Sequence, residues 1–355
     1  MKKVLVAMSG GVDSSVTAYL LKEQGYDCIG VTMKLYDGED GRESTCCSLR
    51  DVEDAKSVCH RLGIPHYTFN FTGDFDREVI APFIRSYEQG RTPNPCIDCN
   101  RYLKFQRLYH RALELGCDYI ATGHYVRRVE EADGTVTLHK ALDADKEQSY
   151  VLYNMTQEQL RRTLFPLGAL TKTEVREIAQ REGFLNAKKH DSQDICFVPD
   201  GDYAAFIQEY TGKTYAPGPV YDVDGNKLGT HRGIIHYTIG QRKGLGLALG
   251  KPMYVKATDA EKNTVTLATN DHLFSSKVYA EHLNWIAGDV PSEPKTVVAR
   301  VRYHGKDQPA TLHFLGNGNI LADFQVAQRA VTPGQAIVFY QGDQMLGGAE
   351  IIRGE

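Results

Sequence analysis

The chain has 355 residues, of which 42% are apolar and 24% charged, and its formal net charge is −4 at pH 7. This composition is typical of a globular protein, and the length predicts two or three domains. No transmembrane span is visible, and residues 1–8 lack the features of a signal peptide, so we expect a cytoplasmic protein. Nothing in the sequence demands a dimer, and we therefore expect a monomer.

The first predicted strand, residues 4–8, leads into Ser9-Gly10-Gly11-Val12-Asp13-Ser14-Ser15 and then a helical pattern. The two glycines permit a tight turn and a close backbone approach to a ligand, and the N–H groups of a new helix attract an anion. A carboxylate would repel phosphate, so we interpret Asp13 as holding Mg²⁺ or a ribose. The stretch predicts a site for a nucleotide and a metal; the alternative is a structural turn capped by serines.

Strands and helices then alternate. We predict strands over 28–33, 66–71 and 119–122, and helices over 49–62, 74–88, from the cap Asn100 to Gly116, and from the capping box Thr171-Lys172-Thr173-Glu174 to Gly183. This order predicts an α/β domain with a doubly wound parallel sheet, whose ligand lies at the carboxyl ends of the strands. Met33, Gly123 and His124 fall just past strand ends and are candidate neighbours of the nucleotide.

The pattern changes near residue 203. One short helix, 203–210, is followed by turn signals and β-rich runs, and strands recur over 296–301, 310–314, 320–324 and 336–339. Such spacing is typical of a small barrel or sandwich. We therefore predict an α/β nucleotide-binding domain over 1–202, a small connector domain over 203–276 and a C-terminal β-barrel over 277–355.

The eight cysteines all lie before residue 200, which is unlike the disulfide framework of a secreted protein. Cys96 and Cys99 form a C-x-x-C pair after a proline-stiffened loop, and we predict that Cys99 begins a helix, where its thiolate would be favoured. A structural zinc site would need further ligands. Cys196 as a third ligand would allow a [4Fe–4S] cluster held by Cys96, Cys99 and Cys196. Cys28, Cys59 and Cys117 fit core packing, and the pattern offers no interpretation of Cys46 and Cys47.

Six stretches taken together and in order resemble the bacterial tRNA-uridine 2-sulfurtransferases, a family of N-type ATP pyrophosphatases with a PP-loop. They are SGGVDSS, RTPNPCIDCN, ATGHY, DKEQSY, HDSQDICF and GQRKGLGL. The resemblance implies that ATP, with Mg²⁺, is bound by Ala7, Met8, Ser9, Gly10, Gly11, Val12, Asp13, Ser14, Met33 and Gly123. It implies that Cys196 carries a persulfide and that Cys99 is its partner thiol. It also implies contacts to the target base from Asn94, Pro95 and Cys96, and to tRNA from His124, Lys146, Glu147, Gln148, Arg302, Tyr303 and Gln335.

The reaction implied by the resemblance is adenylation of the C2 oxygen of the wobble uridine, followed by sulfur transfer from the persulfide. The partners would be tRNA and a persulfide donor or relay protein. Many family members have Asp where this chain has Cys96, so the proton transfer assigned to that Asp must pass to Asp98, to water or to no group. Arg101, Lys104, Arg107 and Arg111, at helical spacing, could grip an RNA backbone.

Two other classes of function remain open. One is another PP-loop enzyme, either an amidating ligase of the argininosuccinate type or a thiolase for a different tRNA base. The other is a non-enzymatic RNA-binding or sulfur-carrier module with a vestigial loop. A ligase needs no thiol pair, and a vestigial loop would not bind ATP, so both alternatives can be tested directly.

Overall fold

A computed structural model describes residues 1–36, 49–189, 195–198 and 200–355. Within these ranges, no helix is both long and apolar enough to cross a membrane. The N-terminal part contains, in chain order, β1 (Lys3–Ala7), α1 (Val12–Glu23), β2 (Asp27–Lys34), α2 (Leu49–Leu62), β3 (His66–Asn70), α3 (Thr72–Phe75), α4 (Ala81–Glu88), α5 (Pro95–Asp98), α6 (Leu108–Glu114), β4 (Tyr119–Ala121), β5 (Val126–Glu130), β6 (Val136–Lys140), α7 (Gln157–Arg161), β7 (Thr163–Leu164) and α8 (Lys172–Arg181). Segments Asp76–Ile80 and Cys99–Arg107 are π-helical, and Ser149–Leu152 is a 3₁₀ helix.

The first sheet is parallel throughout, with strand order β3-β2-β1-β4-β7. Successive side chains of β1 alternate between its two faces. Val4 and Val6 pack with residues of α1, α2 and α8, whereas Leu5 packs with residues of α4 and α6 on the opposite face. The predicted doubly wound parallel sheet is confirmed, and its carboxyl edge carries the loop after β1.

The second sheet follows a helix, α9 (Tyr203–Thr211). Its strands are β8 (Gly218–Tyr221), β9 (Lys227–His231), β10 (Tyr254–Asp259) and β11 (Thr264–Ala268), in the order β10-β11-β8-β9. Short 3₁₀ helices cover Ile234–His236 and Asn270–Leu273. Val220, Val255 and Val265 form the centre of a small separate core, so this connector packs as a unit of its own.

The C-terminal strands close into a barrel. They are β12 (Phe274–Trp285), β13 (Lys295–Arg300), β14 (Gln308–Gly316), β15 (Asn319–Arg329), β16 (Ala336–Gln341) and β17 (Gln344–Gly354). The antiparallel order is β12-β15-β14-β13-β16-β17, and β17 pairs back with β12, which closes the sheet. Inward-facing Leu312, Ile320 and Phe339 are fully buried in its core. The predicted C-terminal β-barrel is confirmed.

The hairpin β5–β6 connects the N-terminal part to this barrel, and the sequence pattern did not predict it. β6 pairs with β17 through Leu138 opposite Met345 and His139 opposite Gln344. Leu138, Tyr340 and Met345 belong to the same buried cluster as Leu5 of the first sheet. The barrel is therefore packed directly against the α/β unit, sharing one continuous apolar core with it.

Candidate active site

The loop after β1 is shaped by its glycines and closed by its own serines. Gly10 has a φ of +72°, and a Cβ at this position would lie 2.4 Å from the Asp51 carbonyl oxygen, so only glycine fits. Ser14 Oγ accepts a hydrogen bond from the Ser9 N–H at 3.2 Å and donates to the Gly11 carbonyl at 3.1 Å. The N-cap residue of α1 is Gly11, which has no side chain to cap the helix, so the N–H groups of the first turn are left for an anion.

Asp13, in the first turn of α1, is bound by two other parts of the chain. The Lys172 ammonium donates to both carboxylate oxygens, at 2.7 and 2.8 Å, and the Tyr125 hydroxyl donates to Oδ1 at 2.8 Å. The carboxylate is thus engaged by an ammonium and a hydroxyl in this structure, and its predicted role in holding Mg²⁺ or a ribose stays a prediction. Among the residues that the structure describes, no three His, Cys, Asp or Glu side chains come together as a group that could hold a metal ion.

The back of the loop is held by the segment that follows α8. Asn186, only 4% exposed, donates through Nδ2 to the Gly10 carbonyl and to Ser15 Oγ, both at 2.9 Å. The Lys189 ammonium lies 3.3 Å from the same Gly10 carbonyl and contacts Asp51 and Asp54. Burial lowers the pKa of Lys189, but these two carboxylates outweigh that effect and raise it. Asn186 and Lys189 thereby fix the segment that follows α8 against the loop.

Met33 and Gly123, the other predicted ATP neighbours, lie at the ends of β2 and β4. Met33 is buried. Gly123 packs so closely on the loop that a Cβ would come within 3.0 Å of both the Asp13 carbonyl carbon and the Ser14 nitrogen. The glycine is needed here for the close approach of two backbones.

We expect the substitution Gly123→Ala to weaken binding of ATP, the nucleotide predicted for this loop, by about 1–2 kcal/mol, because the added methyl group must displace the loop. The measurement is calorimetric titration with ATP. Gly73→Ala is the matched control, since a Cβ at position 73 would meet no atom within 4 Å. Equal ATP affinity in the two variants would contradict the close packing inferred for Gly123.

The C-x-x-C segment begins its helix earlier than predicted. The Asn94 side chain accepts a hydrogen bond from the Cys96 N–H at 3.2 Å, and α5 starts at Pro95, so that Cys96 rather than Cys99 lies in the first turn. Asn followed by Pro is a favourable N-cap and first position. Asn100, expected to be the cap, is buried and donates to the Val151 carbonyl at 3.0 Å.

Asp98 titrates near neutral pH. Burial, with smaller contributions from Glu350 and Glu78, raises the pKa of the Asp98 carboxyl to about 7, against the opposing effect of Arg101. A carboxyl with this pKa can exchange a proton at physiological pH, as a general acid or base must. Of the groups that the sequence left open for proton transfer, Asp98 therefore has suitable acid–base properties.

Cys99 and Cys196 are both half-buried at the border of the same apolar core. The neighbouring Phe197 is anchored by the rings of Phe75 and Phe83, whose centroids lie 5.6 and 5.2 Å away. In the part of the chain that the structure describes, the three thiols Cys96, Cys99 and Cys196 do not form a group that could hold a metal ion, so they do not fit a [4Fe–4S] cluster. His190, Cys46 and Cys47 lie outside the described residues.

The residues predicted to contact tRNA fall into two sets. The side chains of Glu147, Gln148, His124, Tyr303 and Gln335 are engaged within the protein and that of Lys146 is half-buried, whereas Arg302 is exposed. Glu147 is paired with Arg300 at 3.1 Å, and Gln148 accepts a hydrogen bond from the Tyr125 N–H at 2.9 Å. The tRNA contacts of the whole set stay predictions.

The other members of the engaged set have equally specific partners. His124 Nδ1 lies 2.7 Å from Thr122 Oγ1, and burial keeps the pKa of this imidazole well below its usual value. Gln335 donates to the Thr92 carbonyl at 2.8 Å, which ties the barrel to the loop leading to Cys96. The Tyr303 hydroxyl donates to the Glu147 carbonyl at 3.3 Å, and burial, Glu147 and Cys96 raise the pKa of Tyr303 to about 12 against the opposing effect of Arg300.

Sequence reasoning missed Lys172, Tyr125 and Asn186 as members of this site. Lys172 was visible only as part of a capping box, a signal for a helix start, and its partner Asp13 is 159 positions away. Tyr125 belongs to the ATGHY stretch that carried the resemblance, yet no role was inferred for it. The pattern around Asn186 gave no signal of its contact with the loop.

Comparisons with known proteins cover nearly the whole chain. Three family models match it: the tRNA methyl transferase HUP domain over residues 2–200, the tRNA methyl transferase PRC-barrel domain over 204–269 and the aminomethyltransferase beta-barrel domain over 275–351. A protein of Lachnoclostridium phytofermentans named tRNA-specific 2-thiouridylase MnmA is 51% identical over 357 residues, which cover 99% of this chain and 100% of the relative.

Two further relatives carry the same name. The protein of Carboxydothermus hydrogenoformans is 52% identical over 355 residues, covering 99% of this chain and 97% of its own length. The protein of Clostridioides difficile is 49% identical over 353 residues, covering 99% of this chain and 98% of its own. Identity at this level over nearly the full length confirms the resemblance seen in the motifs. This chain belongs to the family of the tRNA-specific 2-thiouridylase MnmA.

Proposed function

We propose that the protein is a tRNA-uridine 2-sulfurtransferase that uses ATP to replace the C2 oxygen of the wobble uridine with sulfur. The observation that carries this proposal is the near full-length identity with relatives named tRNA-specific 2-thiouridylase. The site supports it, because an anion-binding loop with an open helix N-terminus and two half-buried thiols on one core are what activation and sulfur transfer require.

The reaction begins with activation, because a carbonyl oxygen is a poor leaving group. The uridine C2 oxygen attacks the α-phosphorus of ATP, forming an O-adenylate and releasing pyrophosphate. The N–H groups of the first turn of α1 stabilise the negative charge that develops on the phosphates. AMP is then the leaving group at C2.

Sulfur transfer uses the two thiols in sequence. The terminal sulfur of a Cys196 persulfide attacks C2, a carbon–sulfur bond forms and AMP departs. The Cys99 thiolate then attacks Cys196 Sγ, which breaks the sulfur–sulfur bond, leaves sulfur on the base and forms a Cys99–Cys196 disulfide. A thiol reductant and a persulfide donor restore the starting state. The Cys99 thiol must lose its proton before it attacks. Asp98, the preceding residue, has a pKa of about 7 and accepts this proton.

The partners follow from this chemistry. They are a tRNA with a wobble uridine, and a donor or relay protein that delivers persulfide sulfur in the cytoplasm. We assign catalysis to residues 1–202, the connector to 203–276 and the barrel to 277–355, acting as a monomer. Arg302 is exposed and available to RNA, and the predicted contacts of Asn94, Pro95 and Cys96 direct the target base to the start of α5.

The test is a reconstitution with purified protein, ATP, Mg²⁺, a persulfide donor and unmodified tRNA. We expect 2-thiouridine at the wobble position in the digested tRNA by mass spectrometry, with AMP and pyrophosphate released in equal amounts. AMP and pyrophosphate without sulfur in the RNA would favour an amidating ligase, and sulfur on another base would favour a different thiolase. Activity found only in anaerobically prepared, iron-containing protein would replace the persulfide route by a cluster.

A further inference from the structure

The loop that leads to the C-x-x-C pair is attached to both the barrel and the connector. Its residue Thr92, four positions before Cys96, makes contacts with its N–H, its carbonyl and its hydroxyl. The N–H donates to the Pro333 carbonyl at 2.9 Å and the carbonyl accepts from Gln335 at 2.8 Å, both between β15 and β16 of the barrel. The hydroxyl donates to the Thr238 hydroxyl of the connector at 3.1 Å. Both C-terminal units therefore meet at one residue of this loop.

The connector holds the same loop at a second point. The Thr258 hydroxyl, on β10, donates to the Gly90 carbonyl at 2.7 Å. Gly90 has a φ of +70°, and a Cβ there would lie 2.7 Å from Thr258 Oγ1, so the loop touches the strand closely. The connector is itself fixed to α4, because Glu88 binds the Lys213 ammonium at 2.7 Å and the Tyr215 hydroxyl at 2.8 Å. The loop thus runs along a surface that is anchored to the α/β unit.

The contact at Thr238 gives a role to the stretch GQRKGLGL, which the proposed reaction leaves without one. Gln241, the second residue of this stretch, accepts a hydrogen bond from the Thr238 N–H at 2.9 Å and donates through its own N–H to the Thr238 carbonyl at 3.0 Å. At Gly240, which has a φ of +86°, a Cβ would lie 2.7 Å from the Ala330 Cβ of the barrel. The turn 238–241 is therefore closed on itself and packed against the barrel, with the Thr238 hydroxyl held at Thr92.

Two prolines stiffen the segment between Thr92 and the C-x-x-C pair. Pro93 restricts Thr92 to extended backbone, and Pro95 does the same for Asn94, whose φ and ψ are −112° and 94°. The Asn94 side chain caps α5 at the Cys96 N–H, so the helix begins where this stiff segment ends. A displacement of Thr92 is therefore carried to α5 and to the C-x-x-C pair.

We propose that the connector positions the C-x-x-C pair for sulfur transfer, with Thr92 and Thr238 as the positioning residues. This inference rests on the proposed function, since it requires Cys99 to attack Cys196. Attack of one sulfur on another demands a defined approach, and a misplacement of about 1 Å can lower a rate about 100-fold. The contacts of the loop after β1 described above involve neither threonine, so ATP binding is expected to be independent of them.

The test is single-turnover thiolation by the persulfidated protein at saturating ATP and tRNA. We expect Thr92→Val, which replaces the hydroxyl by a methyl group of nearly the same size, to lower the rate constant about 10-fold, because a hydrogen bond that fixes α5 is lost. Thr238→Val is expected to cause the same loss. The dissociation constants of ATP and tRNA should stay close to those of the unmodified protein. Thr92→Ser keeps the hydroxyl and should retain most of the rate.

The double variant shows whether the two hydroxyls act as one contact. If they act through each other, Thr92→Val combined with Thr238→Val loses no more rate than either single variant. Additive losses would overturn the inference, as would an unchanged rate in Thr92→Val, an equal loss in Thr92→Ser, or a loss due to weaker tRNA binding. Thr137→Val is the matched control, because it removes a hydroxyl that donates to Glu131 at 3.0 Å in the hairpin β5–β6, and its rate should be unchanged.

Hydrogen exchange provides a readout that does not depend on activity. In Thr92→Val and Thr238→Val, the amides of residues 96–99 are expected to exchange about 3- to 10-fold faster, because α5 is held less firmly. The amides of β10 and β11 should keep their rates, since the connector retains its own core. Unchanged exchange of residues 96–99 in both variants would contradict the proposed positioning.

Thermal unfolding of each variant separates loss of the fold from loss of positioning. Should Thr238→Val fail to fold, Thr258→Val replaces it, because this variant releases the Gly90 carbonyl from the same connector, and it is expected to slow thiolation and to speed exchange of residues 96–99. Failure of the unmodified protein to form 2-thiouridine would contradict the proposed function, whereas the exchange measurement still decides whether the connector fixes α5.

Discussion

Replacement of Cys196 by serine is expected to reduce formation of 2-thiouridine to background while leaving ATP binding unchanged. The serine hydroxyl cannot carry a persulfide, whereas the loop after β1 is built from residues that do not depend on position 196. The measurements are mass spectrometry of digested tRNA and calorimetric titration with ATP. Persistent thiolation in Cys196→Ser, or loss of ATP binding together with thiolation, would contradict the assigned role.

The variant Cys99→Ser tests the step in which the Cys99 thiolate attacks Cys196 and releases the sulfur to the base. Without the Cys99 thiolate, the sulfur bound to C2 stays joined to Cys196, so a covalent complex of tRNA and protein is expected to accumulate. Added thiol should cleave this complex and release thiolated tRNA. Cys117→Ala is the control, because Cys117 is 4% exposed and burial raises the pKa of its thiol. A Cys99→Ser protein that turns over normally would remove Cys99 from the mechanism.

Replacement of Arg300 by methionine is expected to lower the free energy of unfolding by about 3–5 kcal/mol, because it leaves the buried Glu147 carboxylate without this cation and Asp307 with Lys140 alone. Arg300 binds Glu147 at 3.1 Å and Asp307 at 2.7 Å, and the side chains of Arg300 and Glu147 are only 14% and 6% exposed. The measurement is denaturant-induced unfolding at neutral pH. Arg127→Met is the control, because Arg127 and its partner Asp343 are 39% and 54% exposed, and a loss of about 1 kcal/mol or less is expected.

The free energies of unfolding of Arg300→Met and of the unmodified protein should depend differently on pH. Burial raises the pKa of Asp307, but Arg300 and Lys140 outweigh it, so the folded-state pKa lies below the usual value. The stabilisation is therefore present above the unfolded pKa and is lost as the pH falls through the folded pKa. The difference between Arg300→Met and the unmodified protein should narrow towards low pH. A constant difference from neutral to acid pH, or equal losses in Arg300→Met and Arg127→Met, would show that the buried charges are not the cause.

Elements with a strong local pattern were predictable from the sequence. The helix predicted over 49–62 is found at Leu49–Leu62, because apolar residues at helical spacing end at Gly63, a glycine with a φ of +64°. The strands of the barrel were also predicted from a local pattern, because short β-rich runs recur there with turn signals between them. The hairpin β5–β6 was not, since the pairing that makes it part of the barrel is formed with a strand at the far end of the chain.

Some features of the candidate site could likewise be predicted from the sequence and others could not. The loop after β1 was predictable, because its glycines and serines are consecutive. The contact of Lys172 with Asp13 was not, because it depends on how α8 packs beside α1. The family resemblance assigned Glu147 to tRNA, but it gives no information on burial, and the structure places this carboxylate against Arg300 inside the protein.

The pairing of β6 with β17 also constrains how the chain folds during synthesis. Leu138 must wait for Met345, about 200 residues later, before its edge of the hairpin is hydrogen-bonded. At the usual rate of translation this interval is about 10–40 s. During that time the hairpin presents an unpaired strand edge, the kind of surface on which chains aggregate. Ribosome-associated chaperones are expected to engage the nascent chain from the emergence of β6 until the barrel closes.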